Sequence, residues 1–261
     1  MNLSLKGKNA LVCGASQGIG LAAARELAGL GARITLLARN EESLKAALGT
    51  LPAVEGGSHD YAVADFSISE EVRKTAKELA EKIDYDILIN NTGGPAGGPI
   101  SEASTDAFVA TFEQHLLCNH LLAGALLPGM RKKGSGRIIN VISTSVKAPL
   151  NNLGVSKTIR GAVANWSKTL ANEEGKNGIR VNNVLPGATN TGRLQGILES
   201  KSAKTGKSME EVTKGMVGAV PAGRFGEPEE IGSAIAFLCT PAADYISGIN
   251  LPVDGGRTAS L

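Results

Sequence analysis

Residues 10–28 read Ala10-Leu11-Val12-Cys13-Gly14-Ala15-Ser16-Gln17-Gly18-Ile19-Gly20-Leu21-Ala22-Ala23-Ala24-Arg25-Glu26-Leu27-Ala28. A short apolar run stops at a cluster of glycines, and an alanine-rich helix former follows at once. Strand, glycines, helix is the order that a dinucleotide pyrophosphate requires. Gly14 permits the tight turn, Gly18 lets the backbone approach the phosphates, and Gly20 lets helix and strand pack closely. The new helix offers unpaired N–H groups and the positive end of its dipole to an anion. The spacing is G-x-x-x-G-x-G rather than G-x-G-x-x-G, so the glycines gain their meaning from the strand before and the helix after.

Outward from this unit, apolar runs and helical patterns alternate. Arg33 to Ala38 reads as a second strand and Glu41 to Leu48 as a helix. Ser58 to Ala64 predicts a third strand, followed by a helix from Ser69 to Lys82 opened by a serine–glutamate cap. Ile87-Leu88-Ile89 is a fourth strand ending in Asn90-Asn91-Thr92-Gly93-Gly94. A long helix covers Thr105 to Lys133, Arg137 to Ile142 is a fifth strand, and a second long helix runs from Asn152 to Lys176. Arg180 to Leu185, a helix over Pro228 to Cys239 and the strand Asn250 to Val253 close the pattern. Strict alternation predicts a single-domain, Rossmann-type α/β fold, a doubly wound parallel sheet with helices on both faces. The interval from Thr189 to Arg224 differs: weakly amphipathic, without strand character, it reads as a segment covering a site.

Composition narrows the function classes. The 261 residues are 42% hydrophobic, enough for a large core, and a net charge of +2 gives no reason to expect nucleic acid or an anionic membrane as partner. The cluster Arg131-Lys132-Lys133 reads as a solvated helix end. Cys13, Cys118 and Cys239 lie far apart without a C-x-x-C pair, which suits a reducing compartment. His115 and His120 do not share a helical face, so no metal site is expected. The first residues lack the apolar run of a signal peptide and no stretch approaches the length of a membrane span, so a soluble, cytoplasmic chain is expected.

With these elements placed, the chain resembles the short-chain dehydrogenases/reductases from Lys6 to Gly256, most closely those labelled 3-oxoacyl-carrier-protein reductase or sugar dehydrogenase. Gly14-Ala15-Ser16-Gln17-Gly18-Ile19-Gly20 is similar to the family's glycine loop, with Cys13 where a threonine is usual. Asp65, followed by Phe66, matches the acidic residue that meets the adenine, and Asn90-Asn91-Thr92-Gly93 resembles Asn-Asn-Ala-Gly. Pro186-Gly187 with Thr191 resembles the loop that holds the nicotinamide amide. Arg224 to Ile231 and Val253-Asp254-Gly255-Gly256 match the carboxyl-terminal signatures. A carboxylate ending the second strand would favour NAD. That position is Ala38, and Arg39 beside it suits the 2′-phosphate of NADP. NADP is therefore the expected cofactor, with NAD as the alternative.

In the family, Asn, Ser, Tyr and Lys carry catalysis, and the tyrosine gives or takes the proton during hydride transfer. Ser143 and Lys157 fit the serine and lysine positions. Four residues before Lys157, however, stands Leu153, and Tyr61, Tyr85 and Tyr245 lie in other segments. The Ser143–Leu153 connection is shorter than is usual in the family, and His115 occupies the asparagine position. Leucine donates no proton, and loss of a positioned general acid costs about 10²–10⁴ in rate. Three explanations follow. Another group supplies the proton, whether His115, with an ordinary pKa of about 6.5, Ser143, Ser145 or a water ordered by Lys157. Alternatively, the substrate is an activated alkene or carries its own acid. Or the chain binds NADP(H) without turnover, as a sensor or partner subunit. The resemblance also implies a homotetramer, with the two long helices forming one interface.

Overall fold

The computed structural model describes residues 1–260. Its first strand, β1 (Asn9–Cys13), is buried along almost its whole length, as a strand in a parallel sheet covered on both faces must be. The other strands are β2 (Arg33–Ala38), β3 (Asp60–Val63), β4 (Ile87–Asn90), β5 (Gly136–Val141), β6 (Ile179–Pro186) and β7 (Asn250–Val253). All pair in parallel, in the order β3-β2-β1-β4-β5-β6-β7. The winding reverses between β1 and β4, which opens a crevice at the carboxyl ends of those two strands.

The helices α1 (Gly18–Gly29), α2 (Glu41–Leu48), α3 (Ser69–Lys82), α4 (Thr105–Phe112), α5 (Cys118–Lys133), α6 (Gly154–Glu174), α7 (Gly192–Thr205), α8 (Met209–Val217) and α9 (Pro228–Cys239) complete the fold. Alternate strand residues divide between two cores. Ala10, Val12, Ile34, Leu36, Ile87 and Ile89 pack with α1 and α9, while Leu11, Cys13, Leu37 and Leu88 pack with α3 and α5. This period of two shows that helices cover both faces. Gly232 is tight between α9 and α1, where a Cβ would fall 2.9 Å from the Ala22 carbonyl carbon.

A buried amide ladder ties the site-bearing half of the sheet together. Asn90, Asn140, Asn183 and Asn250 are register partners on β4, β5, β6 and β7. Asn90 donates to Asn140 at 2.9 Å, Asn140 to Asn183 at 3.0 Å, and Asn183 to Asn250 at 2.8 Å. Asn140 also donates to Ser167 Oγ at 3.2 Å, which fastens α6 to the sheet.

Several expectations change. The third strand is Asp60–Val63, shorter than the apolar run suggests. No serine caps α3: Ile68 holds the N-cap position, Ser67 is occupied by Asp65 Oδ1, and Glu71 accepts from the Asp65 N–H at 2.9 Å. The basic helix end is not merely solvated, since Arg131 donates to the buried Glu174 and Lys133 to Asp86 at 3.1 Å. The long helix over 105–133 is interrupted by one π turn, Glu113–Leu117, with His115 at its centre. Residues 189–224 form α7 and α8, which share a small core of Leu194, Leu198, Val212 and Phe225. That excursion leaves and returns at one point, the parallel bridge between Thr189 and Gly226.

Candidate active site

At the end of β1 the backbone turns through Gly14 and Gly18, both at φ +57, a region that side chains rarely enter. A Cβ on Gly14 would lie 2.5 Å from the Asn91 carbonyl oxygen, and one on Gly20 would overlap the Gly14 carbonyl. The Asn91 amide donates to the carbonyls of Cys13 and Gly14 at 3.3 Å, locking the loops after β1 and β4 together. Gln17 sits at the N-cap of α1 without a side-chain bond, and the first turn holds no acidic residue. The leading amides of α1 are thus available to an anion. Ser16 and Ile19 are half-buried beside them, and Gln17 is exposed.

The loop after β6 meets this turn. Gly187 donates to the Val253 carbonyl at 3.0 Å and leaves no room for a Cβ against Asp254. Beyond Pro186 and Gly187, Thr191 caps α7, and its Cγ2 stands 3.3 Å from where a Gly18 Cβ would be. At the other end of the crevice, Arg39 is exposed after β2. Asp65 accepts from the backbone and hydroxyl of Ser67, which hold its carboxyl below the ordinary value, with Arg39 adding to the effect. Phe66 turns its side chain into the core, and its carbonyl accepts from Cys118 Sγ. The fit to a dinucleotide is therefore structural: a cradle that any Cβ would fill, free helix amides, and a cation at the adenosine end.

Ser143 leaves β5 and caps a 3-10 turn, Thr144–Val146, by accepting the Ser145 N–H at 3.2 Å. That bond uses an oxygen lone pair and leaves the hydroxyl hydrogen free to donate. Lys157 lies on the first turn of α6, half-buried, and burial lowers its pKa from the ordinary lysine value. No carboxylate pairs with it among the described residues. An open cleft of about 700 Å³ runs past Ser145, Asn152 and Lys157, with Pro99 and Ile100 on its far wall.

Leu153 is the N-cap of α6, not part of its helical run. It bridges to Gly98, and a Cβ on Gly97 would meet its Cδ2 at 3.3 Å, so the chain after β4 lies against it. No tyrosine substitutes. Tyr61 donates to Glu41, Tyr85 is buried on Thr35, and Tyr245 is fully exposed.

His115 is brought to the carboxyl end of β4, where its Nδ1 bonds Thr92 Oγ1 at 3.0 Å. It is buried, and its Nε2 has no partner. Burial, and then the guanidinium charges of Arg160 and Arg193, push its pKa down to about 3. This corrects the expectation of a histidine titrating near neutrality: the imidazole is neutral at pH 7 and has no surplus proton to give.

The sequence reading missed Arg160 and Arg193. Arg160 lies three residues after Lys157 on α6 and donates to the carbonyls of Val141 and Ile142, each at 3.0 Å, directly before Ser143. Ser156 is engaged too, accepting from Arg160 Nε at 3.3 Å. The only signal available was the spacing of Arg160 from Lys157, since burial of an arginine is a tertiary fact.

Comparison with known proteins agrees with this geometry. Residues 14–258 match the family model described as enoyl-(acyl carrier protein) reductase. A tropinone reductase homolog of Arabidopsis thaliana is 34% identical over 262 residues, covering 98% of this chain and 94% of its own length. Gluconate 5-dehydrogenase of Gluconobacter oxydans is 32% identical over 259 residues, covering 99% and 97% respectively. Among solved structures, L-sorbose reductase of Gluconobacter frateurii, complexed with NADPH and L-sorbose, superposes with a TM-score of 0.93 at 32% identity over 100% of both chains. A parallel doubly wound sheet with a glycine turn at its switch point defines a dinucleotide-binding fold. The chain belongs to the short-chain dehydrogenase/reductase family of NAD(P)-dependent oxidoreductases.

Proposed function

We propose that this chain is an NADPH-dependent reductase of a small carbonyl compound, in which Lys157 rather than a tyrosine supplies the proton. Bound NADPH supplies the hydride. The observation that carries the reading is the pair Leu153 and Lys157: no hydroxyl at the first, and at the second an ammonium without a carboxylate partner, its pKa already lowered. Ser143 directs its free hydroxyl hydrogen to the substrate oxygen. Lys157 delivers a proton to that oxygen directly or through a water that it orders. His115, held neutral, contributes a hydrogen bond from Nε2 and no net proton.

Gly14, Ser16, Gln17, Gly18, Ile19 and Gly20 hold the pyrophosphate, Asp65 and the backbone of Phe66, whose side chain is buried in the core, flank the adenine, and Arg39 pairs with the 2′-phosphate. Asn91, Gly93, Lys157, Pro186, Gly187 and Thr191 hold the nicotinamide half. NADP as cofactor is supported by Ala38–Arg39 and by the NADPH named with the L-sorbose reductase structure. The 189–224 segment closes over the substrate, swinging at the Thr189–Gly226 bridge. A homotetramer is supported by exposed Val109 and Phe112 on α4 and by Gly124 and Gly161, whose missing side chains leave open surface on α5 and α6. The three free, buried cysteines suit a reducing, cytoplasmic setting. A second reading, reduction of an activated alkene, draws on the same Leu153, because the carbon that gains a proton there can take it from solvent.

The test is NADPH consumption against ketones, aldehydes, oxo acids, quinones and enones, with cofactor binding titrated in parallel. Substrate-dependent turnover that falls about 10²-fold or more in Lys157→Met supports the reading. Tight NADPH binding without turnover of any compound overturns it in favour of a non-catalytic nucleotide binder.

A further inference from the structure

Arg160 is only 9% exposed, yet no carboxylate pairs with it among the described residues. Its Nε and Nη1 are used on Ser156 and on the Val141 and Ile142 carbonyls, and among the described residues its Nη2 has no hydrogen-bond partner. Burying a guanidinium without an opposite charge is costly, and carbonyl dipoles offset only part of that cost. Arg193, from the first turn of α7, adds a second guanidinium at the same place. Its Nη2 donates to the Pro95 carbonyl at 3.0 Å, and among the described residues it too pairs with no carboxylate. A Cβ on Gly94 would stand 3.1 Å from Arg193 Nη2 and 3.2 Å from Arg160 Nη2, so both forks converge on one point that glycine keeps clear. Burial and the neighbouring Arg193 lower Arg160 to about 10, which leaves it charged at pH 7. Two like charges thus face one gap, close enough to the buried His115, whose Nε2 has no partner among the described residues, for both to act on its ring, and an anion between them would offset their repulsion.

The position identifies whose anion it is. Arg160 grips the two carbonyls that precede Ser143, and it follows Lys157 by one turn of α6. Arg193 arrives from the segment proposed to cover the substrate, and Gly94 lies in the loop after β4. The glycine turn and the α1 amides, where a dinucleotide's phosphates would lie, are contributed by other elements.

We infer that Arg160 and Arg193 form a carboxylate subsite, and that the substrate is a short oxo acid whose carboxylate lies between their Nη2 atoms while its carbonyl faces Ser143 and Lys157. The inference rests on the reductase reading for the reaction but not for the anion. The arginine on the covering segment also couples closure to substrate charge: the segment finds its electrostatic partner only when an anionic substrate is in place.

Two measurements test it on the whole protein. In the first, kcat/KM with NADPH is compared between short oxo acids and their methyl esters. In the second, malonate, which cannot be reduced, is titrated calorimetrically into the NADPH complex. The acid is expected to exceed its ester about 30-fold or more, and malonate to bind. Arg193→Gln, an exposed position that should not endanger folding, should lower the acid-to-ester ratio about tenfold or more and weaken malonate to a similar degree. Arg160→Lys, keeping the charge but losing the fork, should lower the ratio as well. Equal rates for acid and ester, or no malonate binding, would overturn the subsite. So would loss of NADPH affinity in Arg193→Gln, which would assign the guanidinium to cofactor phosphate. Malonate binding that depends on Arg193, without turnover of any carbonyl, would leave the subsite standing and remove the reductase reading instead.

Discussion

His115 shows how burial changes the chemistry of a residue. Its pKa of about 3 lies below that of an unfolded histidine, about 6.5, so between those values the unfolded chain binds a proton that the native chain refuses. The stability this neutral imidazole permits is therefore present above pH 6.5 and lost as pH falls toward 3, at about 1.4 kcal/mol per unit of displacement. His115→Gln should flatten that loss, read as the urea midpoint at a series of pH values; an unchanged pH dependence would contradict it. At the other end of the crevice, Arg39→Ala should weaken NADPH binding about tenfold or more and NADH much less. Equal losses would remove the 2′-phosphate contact. The exposed position of Arg39 was legible because it directly follows the end of β2. Arg160 was not, because nothing in Ser156-Lys157-Thr158-Ile159-Arg160 tells a buried arginine from a solvated one.

At the scale of elements, the boundaries of β2, α2 and α3 were legible because period and punctuation coincide there: Ala38 precedes the capping Asn40, and Lys82 precedes an extended Ile83. The π turn was not, since one extra residue in a helix leaves the apolar pattern of 105–133 almost intact. Its consequence is local, with His115 bonded to Thr92 at the end of β4. The asparagine ladder was likewise hidden, because Asn90, Asn140, Asn183 and Asn250 are distant in sequence and meet only through strand register. The two links that Asn140 makes, to Asn90 and to Asn183, are buried, so removing Asn140 strands both neighbours. Asn140→Leu should cost about 2–6 kcal/mol, the sum of two orphaned amide groups at about 1–3 kcal/mol each, measured by chemical denaturation. A neutral effect would show that the ladder is not stabilising.

For the whole molecule, strict alternation of strands and helices was enough to predict the parallel, doubly wound sheet, and the glycine turn located the crevice. The 189–224 segment was visible only as an irregular interval; that it is two helices with their own core depends on Leu194, Leu198, Val212 and Phe225 meeting in three dimensions. The proposed tetramer predicts a sedimentation mass near four times 26.8 kDa; a monomer would refute it and leave Val109 and Phe112 unexplained. Lys157 is proposed to move the proton that the resemblance assigns to a tyrosine. The most direct measurement is the pH profile of kcat/KM for carbonyl reduction. The protonated ammonium is the active form, and burial lowers its pKa, so the rate should hold at low pH and fall as pH rises through an ionisation below the ordinary lysine value of about 10.4. A rate that stays flat through that range, or one with the same profile in Lys157→Met, would contradict the account.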